Sequence, residues 1–252
     1  MKGKISVVII TRNEEEMVKD CLKSAAWADE IVLLDTGSTD KTIEIAENYR
    51  VKIAYAQSKE RDFAVWHNQG KKVATSEWIF KLDADERITP ELKKEIQRVI
   101  KDKQFNAYAV PRQNILLGKA MKFGGWYPDY QIRLFKKDKL IAWKGKLHEN
   151  PVFEGDLGYL KQPLIHITHR DLSSMVEKSK EWSKIEAQLL FKAHHPPVVW
   201  WRILRVMISE FLDRFVKKQA WRDGVVGWIE GLFQVFNKFL IYGQLWEIQN
   251  QR

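Results

Sequence analysis

The sequence predicts an α/β protein: an open, mainly parallel sheet followed by a C-terminal helical segment. Three observations carry this prediction. Up to about residue 112, short apolar runs alternate with amphipathic stretches. The runs are rich in β-branched and aromatic residues and continuously apolar, as in strands covered on both faces. From Asp171 onward the apolar residues instead recur at helical spacing.

"ISVVII" (5–10) is the first strand, and Asn13 caps a helix whose buried face is Met17, Val18, Cys21, Leu22, Ala25 and Ala26. "EIVLLD" (30–35) is the second strand. The small residues Thr36, Gly37 and Ser38 follow it, with Ser38 or Thr39 as the next cap and Asp40 favouring the helix dipole. "VKIAYA" (51–56) and "EWIFKLD" (77–83) are further strands. Thr89 and Pro90 then open a helix with Leu92, Ile96, Val99 and Ile100 on its apolar face, before the strand "NAYAVPR" (106–112).

The order is βαβαβαβ, for which right-handed crossovers give a parallel sheet. Residues 113–170 are irregular, rich in glycine, aromatics and charge, and read as loops and short strands that complete the sheet and its rim. Beyond Asp171, a predicted N-cap, Met175, Val176, Trp182, Ile185 and Leu189 define one helix. Pro196 and Pro197 separate it from two more, around 198–218 and 222–242. The expected division is 1–170 and 171–252.

At 252 residues the chain can bury a sizeable core without disulfide staples. Its single cysteine, Cys21, reads as a core thiol. "MKGKISVVIITRNEEE" lacks the apolar length and cleavage site of a secretion signal, which predicts a cytoplasmic protein. No apolar run approaches the roughly 18 to 20 residues of a spanning helix. The net charge of +9 favours an acidic partner. Of nucleic acid, anionic lipid and a phosphorylated substrate, nucleic acid is the weakest candidate, because no RNA-binding, zinc-finger or zipper signature is present.

In open α/β sheets, ligands bind beyond the carboxyl ends of the strands. There "IFKLDADERITPE" (79–91) places Asp83, Asp85 and Glu86. In extended backbone Asp83 and Asp85 face one way, so their carboxylates repel unless a proton or a hard cation, Mg²⁺ or Mn²⁺, intervenes. An acidic turn opening the helix at Pro90 is the alternative.

"SVVIITRNEEE", "EIVLLDTGSTDKT", "RDFAVWHNQGKKVATSEWIFKLDADE", "QIRLF" and "LHE" occur in the order of, and resemble, the motifs of family 2 glycosyltransferases. Small bacterial lipopolysaccharide core glucosyltransferases are the most similar subgroup. The resemblance covers roughly residues 4–170 and implies a GT-A-type, Rossmann-like catalytic domain there. Thr11, Asn13 and Glu14 would border the nucleoside, and Asp35 would recognise base or ribose. Asp83 would approach ribose and metal, and Asp85 would be the principal metal ligand. Asn68 would join the nucleotide site, although many relatives carry Arg or Lys where His67 precedes it. The implied donor is a nucleotide-sugar, specifically a UDP-sugar, and the implied acceptor is a saccharide of a lipid-linked surface glycan.

Inverting sugar transfer requires a base for the acceptor hydroxyl. Glu149 in "KLHEN" is the preferred candidate and Asp129 in "GGWYPDYQ" the other; a surface pairing of Glu149 with Lys144 or Lys146, and a turn role for Asp129, stand beside them. His148 and His166 are candidates to complete the metal or diphosphate site, or are structural histidines. Arg133 in "QIRLF" either meets the diphosphate or forms a rim salt bridge. Trp126 and Tyr127 read as a sugar platform or a packed corner.

Finally, "PVVWWRILRVMISEFLDRFVKK" (197–218) and the aromatics of 222–242 mix large apolar residues with cations. They suit either a helical cap or peripheral contact with anionic membrane at the inner face of the cytoplasmic membrane. The rival to the enzyme reading is a membrane-surface binding protein with a degenerate nucleotide-sugar site.

Overall fold

In the computed structural model, residues 3–58, 62–102, 104–145 and 149–251 are described. The chain divides into two units. One runs through Arg112 and resumes over Tyr130–His166; the other is Gln113–Asp129 with the chain from Ile167. The second crossing lies near the expected boundary at 170, but segment 113–129 groups with the helices.

The order is β1 (Ile5–Thr11), α1 (Val18–Ala25), β2 (Glu30–Asp35), α2 (Thr42–Glu47), β3 (Lys52–Tyr55), α3 (Phe63–Val73) and β4 (Trp78–Asp83). Next come β5 (Glu86–Ile88), α4 (Pro90–Asp102), β6 (Ala107–Leu116), β7 (Lys119–Ala120) and β8 (Asp129–Lys136). β9 (Leu140–Lys144), β10 (Asn150–Phe153), β11 (Leu157–Tyr159) and β12 (Leu164–His169) complete the strands.

The main sheet has the order β3-β2-β1-β4-β8-β6-β12-β5, while β9 and β10 pair separately. β1 is parallel to β2 and β4, and β8 runs antiparallel to β4. The core of this unit packs Val7, Ile9, Leu33 and Phe80 of the sheet against Val18, Leu22, Leu92 and Ile96 of the helices. Cys21 is fully buried there, and burial pushes its thiol pKa up.

Local chemistry explains most boundaries. Leu92 N–H donates to Thr89 Oγ1 at 3.1 Å, so Thr89 caps α4 and Pro90 opens it. Gly70 lets α3 approach β1 closely: a Cβ there would lie 2.6 Å from Val8 Cγ1.

Three expectations change. Asn13 does not cap α1; it is left-handed (φ 54°), and its Oδ1 accepts from Thr39 N–H at 2.8 Å, tying two loops together. Neither Ser38 nor Thr39 caps α2; Ser38 turns back to Asp35, and α2 begins only at Thr42. The strand bearing Asp83 ends there, because Ala84 and Asp85 form a turn into β5.

In the second unit, α5 (Leu172–Lys192) carries the predicted Asp171 cap, in a reciprocal capping box with Ser174. α6 (Trp200–Phe211) continues as a π-helical stretch, Leu212–Lys217. A short 3₁₀ turn, Ala220–Asp223, leads into α7 (Gly224–Asn250), which is longer than expected.

Candidate active site

Parallel pairing brings three strand ends to one edge of the sheet, with Thr11 opposite Asp35 and Ile10 opposite Asp83. Asp35 is buried, and its carboxylate accepts from Gly37 N–H (3.1 Å), Ser38 N–H (3.1 Å) and Ser38 Oγ (2.5 Å). It therefore organises the loop that follows its own strand. Thr11 Oγ1 is buried with no hydrogen-bond partner among the described residues, an unsatisfied group at the strand edge. Glu14 N–H donates to Thr42 Oγ1 at 2.7 Å, which fixes its backbone beside this loop.

Behind the turn lies a buried charge cluster. Arg133, 3% exposed, donates from Nη2 to Asp83 Oδ2 at 2.6 Å and also to Glu86 Oε1. Glu86 is fully buried; its Oε2 accepts from Asp83 N–H at 3.0 Å, and Arg112 Nη1 lies 3.7 Å from its Oε1. Burial opposes ionisation of Asp83, but Arg133 and then Lys81 outweigh it and hold its pKa well below the usual range. Burial, opposed by Arg133 and reinforced by the Asp83 charge, pushes the Glu86 carboxyl up.

Of the two readings of Arg133, the salt bridge is present but buried rather than at the rim, with Asp83 and Glu86 as its partners.

Ala84 and Asp85 lie in a turn rather than in extended strand, so strand alternation does not set how Asp83 and Asp85 face one another. Asp85 Oδ2 lies 3.3 Å from His166 Nε2. β12 pairs antiparallel with β5, placing His166 opposite Glu86, one residue from Asp85. Carboxylate oxygen and imidazole nitrogen are both ligand types that Mn²⁺ accepts. Two protein donors fit a divalent ion that takes its remaining ligands from phosphate and water. Among the described residues no group of three or more metal-binding side chains converges. The candidate ligand His148 lies outside the described residues.

Glu149 meets Lys81 rather than Lys144; Lys146 lies outside the described residues. Its Oε1 is 2.7 Å from Lys81 Nζ and 3.3 Å from His67 Nε2. Burial raises the Glu149 pKa, but the contacts with His67 and Lys81 prevail and bring it to about 2. His67 is buried beside Trp143, and desolvation lowers its pKa and favours the neutral ring. Lys81 and Asp83, two apart on β4, share a face of the strand, so Glu149 stands on the acidic side of the sheet.

The remaining candidates are placed elsewhere or already engaged. Asn68 exchanges two hydrogen bonds with the Trp143 backbone, Nδ2 to O at 3.0 Å and Oδ1 from N–H at 2.9 Å, so its amide clamps α3 to β9. Asp129 belongs to the second unit, where its Oδ2 accepts from Asn114 Nδ2 at 3.3 Å. Trp126, also in that unit, packs its ring edge-on to His169.

Sequence reasoning missed Lys81 and Arg112, and it noted Glu86 without giving it a role. Lys81 left a signal, being the one cation inside the apolar strand "WIFKLD".

A mixed sheet with acidic residues at the ends of its parallel strands is the arrangement expected of a GT-A-type fold. The sequence model of Glycosyl transferase family 2 matches residues 6–152, and the chain belongs to that family.

It is similar over 98% of its length to an uncharacterized glycosyltransferase of Rickettsia bellii, 26% identical over 266 residues and 88% of that protein. The lipopolysaccharide core biosynthesis glycosyltransferase LpsC of Rhizobium meliloti is 24% identical over 249 residues, covering 96% of this chain and 92% of LpsC. Among solved structures, S. aureus TarS 1-349 in complex with UDP-GlcNAc aligns with a TM-score of 0.52 at 15% identity, over 98% of this chain and 92% of that 1-349 chain.

Proposed function

We propose that this glycosyltransferase is metal-dependent and inverting. In this reading it moves a sugar from a UDP-sugar to a saccharide acceptor of a lipid-linked glycan such as lipopolysaccharide core. The observation that carries the catalytic part is the partly buried Glu149 carboxylate, held by Lys81 and His67 on the acidic side of β4. The relation to LpsC supports the acceptor class. TarS, a protein of the same fold, is in complex with UDP-GlcNAc, which supports the donor class.

The donor nucleoside lies at the strand edge formed by Thr11, Asn13 and Glu14, with Asp35 shaping the loop against it. Asp83, oriented by Arg133, faces the ribose. Asp85 and His166 would hold a Mg²⁺ or Mn²⁺ ion, which would supply positive charge against the leaving diphosphate. The acceptor hydroxyl attacks the anomeric carbon from the side opposite the leaving group. Its oxygen forms the new glycosidic bond while the carbon–phosphate-oxygen bond breaks, and its proton passes to Glu149.

Lys81 keeps Glu149 ionised but weakly basic in the free enzyme.

The test is release of UDP from a panel of UDP-sugars with Mn²⁺ or EDTA, with the anomeric configuration of the product read by NMR. Metal-dependent release with inversion is expected. Retention of configuration, or release independent of metal, contradicts the proposal.

A further inference from the structure

The helical unit carries an apolar surface that the transfer chemistry does not use. On α7, Val225, Ile229, Leu232, Phe236 and Phe239 recur every three or four residues and are 38–75% exposed, forming one uncharged stripe. On α6, Trp200, Trp201, Leu204 and Ile208 form a second exposed stripe.

Aromatic contacts join the two. Phe211 meets Phe215 at 4.7 Å, and Phe215 meets Trp228 at 4.5 Å between ring centroids. Phe215 also lies flat on α7 at Gly231, where a Cβ would come within 2.6 Å of its ring. Surfaces of this kind mark interaction sites.

Charge selects the partner. Residues 200–222 hold six basic residues and two acidic ones. Both acids are internally paired, Glu210 with Arg214 at 2.7 Å and Asp213 with Lys218 at 2.5 Å. That leaves Arg202, Arg205, Lys217 and Arg222 as surplus positive charge beside the stripes. Arg202 stacks over Trp201 at 4.9 Å and Arg222 over Phe123 at 4.2 Å. Among the described residues no helix is long and apolar enough to cross a membrane. A second copy of the chain would bring another net charge of +9 against the first.

We infer that the joined faces of α6 and α7 dock on an anionic phospholipid surface, with the helices in the plane of the interface. Trp200, Trp201 and Trp228 enter the headgroup boundary, and the surplus arginines and lysines meet lipid phosphates. The inference concerns the helical unit and stands apart from the donor and acceptor proposed above.

The experiment is flotation of the full chain with phosphatidylcholine vesicles, with and without phosphatidylglycerol, at low and high salt. Binding is expected to need phosphatidylglycerol, to weaken with salt, and to fall at least about tenfold in Ile208→Glu with Leu232→Glu, and likewise in Arg205→Glu with Lys217→Glu. Circular dichroism melting checks that the variants fold. Quenching of tryptophan fluorescence by brominated lipid tests insertion on the unaltered chain. Equal binding to neutral vesicles, no quenching, or a dimer in sedimentation that is lost in Ile208→Glu with Leu232→Glu would overturn the inference.

Discussion

Lys81 and Glu149, 68 residues apart in sequence, meet at 2.7 Å beside the acidic end of β4. One arrives on a core strand and the other just before β10, so this contact ties the sheet to the element bearing the proposed base. His67 completes the contact from α3. The proposed chemistry depends on this arrangement.

Replacing the carboxylate isolates its role. Glu149→Gln keeps the shape of the side chain and should lower transfer by about 10² to 10⁴-fold while leaving UDP affinity within about twofold. Steady-state turnover and calorimetry on one preparation check both. Normal turnover would move the base to Asp129 or another group.

The ion pair should also appear in stability. Lys81→Met leaves Glu149 facing only His67, and Glu149→Gln leaves Lys81 without its anion. In a double-mutant cycle by urea unfolding the pair should couple by about 1–3 kcal/mol, since both side chains are mostly buried. A coupling near zero would make the contact incidental.

Arg133 is expected to be the costliest of these substitutions. Arg133→Met leaves Asp83 and Glu86 adjacent with only the weaker influence of Lys81 and Arg112, and should destabilise the protein by about 3–5 kcal/mol. Adding Glu86→Gln should recover part of this, because it removes one buried negative charge. Urea midpoints of the two variants decide it, and no recovery would assign the loss to packing instead.

Glu230 on α7 gives a pH dependence. It is 2% exposed, and burial, only partly offset by the Gln234 hydrogen bond, pushes its pKa from 4.5 up to about 7. The folded state therefore holds the proton more tightly than the unfolded state. The stability linked to this site is complete below about pH 4.5 and falls as pH rises to about 7, by about 3 kcal/mol. Glu230→Gln should remove that fall, so its stability advantage over the parent should grow from about pH 5 to about pH 8. A constant difference between the two proteins would contradict the assignment.

The parallel part of the sheet was legible because each strand is a continuous apolar run ending in a polar residue. β5 was not, since three residues give no periodicity and a carboxylate at Glu86 argues against burial until Arg133 is placed beside it. The acidic triplet marked the carboxyl end of a parallel strand, but its local geometry came out differently. Extended backbone would have aimed Asp83 and Asp85 together, whereas the turn at Ala84 sends one to Arg133 and the other to His166. Asn68 reads from sequence as a nucleotide contact, and its two hydrogen bonds to the Trp143 backbone join residues 75 apart, which no local pattern announces. The Lys81–Glu149 pair rests on contacts of long sequence separation, which no local pattern announces.

The most direct measurement is calorimetric titration of the protein with UDP, GDP, CDP and dTDP, each with Mn²⁺ and with EDTA, repeated on Asp85→Ala. Metal-dependent binding of UDP that Asp85→Ala abolishes is the predicted result. Binding of no nucleotide, or binding that persists unchanged in EDTA and in Asp85→Ala, would contradict a metal-assisted nucleotide-sugar site at the end of β4.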